Sequence, residues 1–121
     1  MSAVERVRAV CVGLPEVIER PSHGSPAFFV RGKKSFVMLW ADGHHDNHFP
    51  HLWCAAPAGA QQELIAADPE RFFRPPYVGH RGWLGVRLDR DPDWDEIAEV
   101  CTDAYRAVAP KALLAQLDDL G

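Results

Sequence analysis

The sequence predicts an α+β fold in which helices pack on an antiparallel β-meander. Three observations carry that prediction. Apolar residues recur at helical spacing near both ends of the chain. From residue 17 to 57 the pattern shifts to short β-rich runs broken by turn residues. A further strand-like run, GWLGVRLD at 82–89, follows a segment dense in Pro and Gly. The 121 residues are read as one domain spanning 1–121. At that size roughly two-thirds of the unfolded surface can be buried without a disulfide or metal to staple the core.

Each element has a local cause. Ser2 and Glu5 stand at capping-box spacing, and Val4, Val7, Val10 and Cys11 then share one face, so residues 3–12 form a short helix. Gly13, Leu14 and Pro15 stop it. The runs EVIER, AFFVR, SFVMLWA and HLWCAA are the strands of the meander. In SFVMLWA, Phe36, Met38 and Trp40 alternate with Val37, Leu39 and Ala41; both faces are apolar, which places this strand inside the sheet. SHGSP at 22–26 and RGKK at 31–34 are turns, Gly32 taking a backbone angle that other residues avoid. Lys33 and Lys34 project there as a basic tip.

PAGAQQELIAAD (57–68) is a short helix ended by Asp68 and Pro69, and FFRPP crosses to the last strand. In that strand Leu84, Val86 and Leu88 face the core. Trp83, Gly85, Arg87 and Asp89 face the other way, with Trp83 and Arg87 on one face across a bare glycine. Asp93 and Glu96 form a second capping box, and Ile97, Val100, Cys101, Ala104, Tyr105 and Val108 keep helical spacing to about residue 109. Pro110 opens a last helix striped with Leu113, Leu114, Leu117 and Leu120.

A net charge of −4 argues against a protein that clamps a long stretch of nucleic acid, because phosphate neutralisation by Lys and Arg drives such binding. Any nucleic-acid role must rest on a local basic patch. Cys11, Cys54 and Cys101 are odd in number, far apart and set among apolar residues, the pattern of reduced core thiols and not of a disulfide or zinc framework. The opening MSAVERVRAV places charges where a signal peptide needs an apolar run, and no stretch of about 18 apolar residues occurs. A cytoplasmic setting, with no membrane partner, is expected.

No G-x-S-x-G, phosphate-binding loop, dinucleotide fingerprint or H-E-x-x-H is present, so no catalytic residue and no cofactor is assigned. The carboxylates of DRDPDWDE sit at a strand-to-helix junction, where a helix N-terminus favours them. The loop DGHHDNHFPH offers His44, His45, Asp46, His48 and His51, ligand types suited to zinc, nickel or copper. Their spacing matches no closed site, and a hairpin loop accounts for the composition, so no metal is assigned.

The densest functional signal is RPPYVGHRGWLGVRLD at 74–89. Tyr77, His80, Arg81, Trp83 and Arg87 supply aromatic faces and guanidinium groups suited to stacking on bases and pairing with phosphates or carboxylates. The competing structural reading has Pro75 and Pro76 stiffening the approach, Gly79 and Gly82 permitting a tight reversal, and Trp83 covering the sheet. His23, in the SHGSP turn, approaches His80 if the two segments are neighbours in space.

LPEVIERPSHGSPAFFVRGKKSF, DPERFFRPPYVGHRGWLGVRLD and DWDEIAEVCTDAYRAVAPKALLAQLD together resemble the MmcQ/YjbR family, also called DUF419, over nearly the whole chain. PPYVGHRGWLGVRLD is the most specific block. The resemblance implies an antiparallel sheet backed by helices in a CyaY-like or secretion-chaperone-like arrangement, and a DNA-binding label that rests on fold analogy. The matching positions are Ser22, His23 and Gly24, the turn Arg31 to Lys34, and Pro75 to Trp83. The family supplies no catalytic residue to carry over, and here the second hairpin loop is histidine-rich instead of lysine-rich.

The expected function is therefore a non-enzymatic binding domain, contacting DNA or a ligand through His23, Lys33, Lys34, Arg74, Tyr77, His80, Arg81, Trp83 and Arg87. Two alternatives stand beside it. One is a protein-interaction or chaperone-like module that pairs with a partner chain or itself. The other is a small anionic-ligand site at His23, His80 and Arg81.

Overall fold

The computed structural model describes residues 1–44 and 47–120, which leaves two of the metal-ligand candidates, His45 and Asp46, outside the described residues. Helix α1 (Ala3–Val12) starts where the Ser2 hydroxyl accepts the Glu5 backbone N–H at 3.1 Å, as the capping spacing predicts. Strands β1 (Val17–Ser22), β2 (Ser25–Val30), β3 (Lys34–Trp40) and β4 (His51–Cys54) follow as an antiparallel meander. Helix α2 (Ala60–Ala67) then carries the chain to a two-residue strand, β5 (Phe72–Phe73), and a 3-10 turn (Gly79–Arg81) leads into β6 (Leu84–Arg87). Helices α3 (Trp94–Val108) and α4 (Lys111–Leu120) complete the chain.

The strand order is β1-β2-β3-β4-β6-β5. Strand β6 slots between β4 and the short edge strand β5, where the sequence pattern predicts only a crossing segment. The β1–β2 turn places His23 and Gly24 at φ 53° and 80°. Both central residues are left-handed, as a two-residue hairpin turn of this hand requires. Among the described residues no helix is long and apolar enough to cross a membrane.

The two faces of the sheet differ. Register pairs Phe28 with Val37, Cys54 with Val37 and Leu84, and Leu52 with Leu39 and Val86, so these alternate side chains share one face. Val7 and Cys11 of α1 and Ile97, Cys101, Ala104 and Tyr105 of α3 join them in the core. A bulge in the β2–β3 pairing leaves Phe36 without a partner. Phe36 thus turns to the helix side, edge-on to Tyr105 at 5.7 Å, and does not share the face of Met38 and Trp40 as strict alternation predicted.

Tyr105, fully buried, donates its hydroxyl to the Pro15 carbonyl at 2.8 Å and ties α3 to the loop after α1. The cysteines, distant in sequence, converge in this layer. The neighbouring Cys101 thiol, together with burial, pushes Cys11 well above its ordinary range; burial does the same to Cys54. All three are free thiols.

Candidate functional site

The opposite face of the sheet presents Met38 and Trp40 from β3, His51 and Trp53 from β4, Phe73 from β5 and Arg87 from β6, because cross-strand partners point the same way. Side chains from loops roof part of this face and leave a cleft of about 390 Å³ lined by His23, Met38, Trp40, His44, Trp53, Tyr77 and Val78. The Trp40 ring lies 5.0 Å from Trp53 and 4.0 Å from His44, and the His44 ring meets Trp53 edge-on at 5.1 Å. Tyr77 stands 6.5 Å from both His44 and Trp53. Behind the cleft, His51 packs 5.5 Å from Phe73 and 5.3 Å from Phe49.

The wall carrying Tyr77 is held by local hydrogen bonds and one side chain from α2. Val78 N–H reaches the Pro76 carbonyl at 2.6 Å across Tyr77, whose φ is 64°. This is the strained form of a three-residue turn, and a bulky side chain held at such an angle is common at ligand clamps. Arg81 N–H donates to the Val78 carbonyl and Gly82 N–H to the Gly79 carbonyl, each at 3.0 Å, closing the 3-10 turn. Gln61, buried in α2, donates through Nε2 to the Gly79 carbonyl at 2.9 Å and the Trp83 carbonyl at 2.5 Å. Both ends of the reversal are thereby pinned.

Polar groups at the cleft are unevenly satisfied. Trp40 and Trp53 are 5% and 3% exposed, and the Nε1–H of each is buried without a hydrogen-bond partner among the described residues. An indole N–H can only donate, so each needs an acceptor that the described residues do not supply. His51 is fully buried with Nδ1 2.8 Å from the Phe49 carbonyl, and burial lowers its pKa, which keeps it neutral.

A family model described as YjbR matches residues 12–107. The chain belongs to the YjbR family. The crystal structure of Deinococcus radiodurans protein DR2400, a DUF419 domain, is similar with a TM-score of 0.76, covering 98% of this chain and 89% of that one at 20% identity. That likeness bears on the α+β fold, and no curated protein matches the chain.

In this YjbR domain the residues singled out from sequence separate into distinct places. His23 and Tyr77 line the cleft. His80 and Arg81 are exposed on the same loop but do not line it, so the cleft does not join His23, His80 and Arg81 around one ligand. Trp83 is 3% exposed beneath the Arg81 guanidinium, 5.3 Å from its ring, and is a core group with no open face for stacking. Gly85 between Trp83 and Arg87 is not bare either: a Cβ there would stand 2.4 Å from the Phe73 ring.

Arg87 is already engaged. It grips Asp89 with two bonds of 2.9 and 2.8 Å and lies 3.7 Å over the Phe49 ring, which holds the Asp89 carboxyl below its ordinary range. Lys33 and Lys34 line a second cleft of about 360 Å³ between the β2–β3 turn and the α3–α4 junction. Arg74 lays its side chain along Gly79. Of the loop histidines, His48 is exposed and His44 stacks in the cleft; among the described residues no group of three His, Cys, Asp or Glu could hold a metal.

Met38, Trp40, Trp53, Val78 and Gln61 were missed as site residues. Trp40 and Trp53 read as ordinary core aromatics, and only the antiparallel register brings them side by side. Gln61 carried no signal beyond a polar position in a helix.

Proposed function

We propose that this YjbR domain is a binding domain that takes a flat aromatic or heteroaromatic group into the cleft of Trp40, Trp53 and Tyr77. The observation that supports it most is the concave aromatic surface whose two indole donors are buried and lack acceptors among the described residues. Its volume lies in the range of small-molecule sites, and its aromatic lining with a few polar groups is the usual composition of such sites. Ligand-observed NMR with a set of planar fragments tests it. Tyr77, 69% exposed, can be changed to Ala with little effect on folding. Loss of one stacking face worth about 1–3 kcal/mol should weaken binding between roughly fivefold and a hundredfold. Fragments that ignore the cleft, or bind Tyr77→Ala as well as the parent, would refute the reading.

A second reading keeps nucleic acid as the partner. It is favoured by four cations, Lys33, Lys34, Arg74 and Arg81, that pair with no carboxylate among the described residues, whereas Arg87 is committed to Asp89. Titration of short duplex and single-stranded DNA at two salt concentrations tests it: saturable binding that weakens with salt, with a slope reduced by about one phosphate in Arg81→Ala, supports it. No binding at low salt removes it. Self-association is the remaining class, with Ile18, 47% exposed on edge strand β1, as its contact point. A monomer at all concentrations in size-exclusion chromatography counts against it.

A further inference from the structure

We propose that the ring taken by the cleft carries hydrogen-bond acceptors in its own plane, as a lactam or cyclic imide does, and that these accept from the Nε1–H groups of Trp40 and Trp53 when Tyr77 lifts to admit it. The inference rests on the cleft being a ligand site and adds the chemical class of the ligand.

Three classes of flat ligand are distinguishable by what they do to the two indoles. A plain hydrocarbon ring fills space and leaves both donors unpaired. A ring-bearing cation is drawn to aromatic faces, but the described lining holds no carboxylate to match its charge, and N–H edges repel it. A ring with carbonyl oxygens or unprotonated nitrogens in its plane stacks on the same faces and also satisfies the donors. The gain is large because a buried donor without a partner is a cost already present in the unliganded protein. The Trp40 and Trp53 rings pack against each other with centroids 5.0 Å apart and both line the one cleft.

Tyr77 explains how a ligand reaches donors that are sealed from water. Its ring is exposed at the mouth, 6.5 Å from Trp53, and its backbone sits at φ 64° in a strained three-residue turn. Relaxing that turn moves the ring away from Trp53. The closed turn is restored over the bound ring.

Three probes of matched shape test the inference against 15N-labelled protein: quinazoline-2,4-dione with in-plane carbonyls, naphthalene with none, and N-methylquinolinium with a positive charge. The four tryptophans give four indole N–H signals, and Trp40→Phe and Trp53→Phe assign two of them. The dione should bind at least tenfold more tightly than the other two and move the Trp40 and Trp53 indole protons downfield, as a new hydrogen bond does. Equal or tighter binding of naphthalene or N-methylquinolinium in the cleft overturns the acceptor class and leaves the ring-binding reading standing. A tenfold preference without the downfield shift overturns the donor assignment. If none of the three perturbs either indole signal, the cleft reading fails together with this one.

Discussion

Gln61→Met removes the one side chain that spans α2 and both ends of the cleft-wall loop, and its cost follows from two hydrogen bonds. Nε2 satisfies the carbonyls of Gly79 and Trp83 at 2.9 and 2.5 Å from a position only 3% exposed. The Gly79 carbonyl keeps the Gly82 N–H at 3.0 Å, so the loss falls mainly on the Trp83 carbonyl, and a buried carbonyl that loses a donor costs about 1–3 kcal/mol before compensation. Methionine is unbranched, suits a helix and fills nearly the same volume, which returns part of that and leaves a net loss of about 1–2 kcal/mol. Urea unfolding followed by tryptophan fluorescence should show a midpoint lower by roughly 0.5–1 M for a slope of about 2 kcal/mol/M. Gln61→Glu should be worse at neutral pH, since it places a carboxylate against two carbonyls and desolvates a charge. A Met variant within about 0.5 kcal/mol of the parent, or a Glu variant equal to the Met one, would refute this account of the loop.

Three further outcomes follow from the geometry. Tyr105→Phe deletes the donor to the Pro15 carbonyl and should cost about 1–3 kcal/mol in chemical denaturation; no loss would mean another donor reaches that carbonyl. Gly85→Ala sets a methyl 2.4 Å from the Phe73 ring, expels the ring and should cost about 1–3 kcal/mol, and pairing it with Phe73→Ala should recover part of that as non-additivity. His51 is kept neutral by burial, its folded pKa lying below the ordinary 6.5. Below that value the unfolded chain takes up a proton the folded chain refuses, so stability is full above pH 6.5 and declines as pH falls towards the folded value. His51→Gln should flatten that decline in pH-dependent unfolding, and an unchanged slope would assign the decline to other groups.

Most of the scaffold was legible because its causes are local. The two capping boxes, the positive-φ turns at 23–24 and 31–32 and the helical stripes each depend on residues within a few positions of one another, and the structure realises them close to the expected bounds. The short strand β5 was not legible, since two phenylalanines before an Arg-Pro-Pro run carry no period. The facing of Phe36 failed for a related reason: a bulge in the pairing with β2 shifts the strict alternation expected of a single strand. The site was harder still. Tyr77 and His23 stood out because Pro, Gly and aromatic residues crowd their segments, yet Trp40 and Trp53 become a site only through strand register, and Trp83, the most conspicuous aromatic of its segment, is taken up by the core.

The meeting of Cys11, Cys54 and Cys101 between the helices and the sheet gives the chain a built-in reporter of its own opening. One thiol belongs to α1, one to α3 and one to β4, all fully buried, and burial helps to hold Cys11 and Cys54 well above their ordinary range. An alkylating reagent therefore modifies none of them until α1 or α3 leaves the sheet, while the cleft on the far face can open and close without exposing a sulfur. Labelling rates would thus separate motions of the ligand face from unfolding of the helix layer, using only atoms the protein already has.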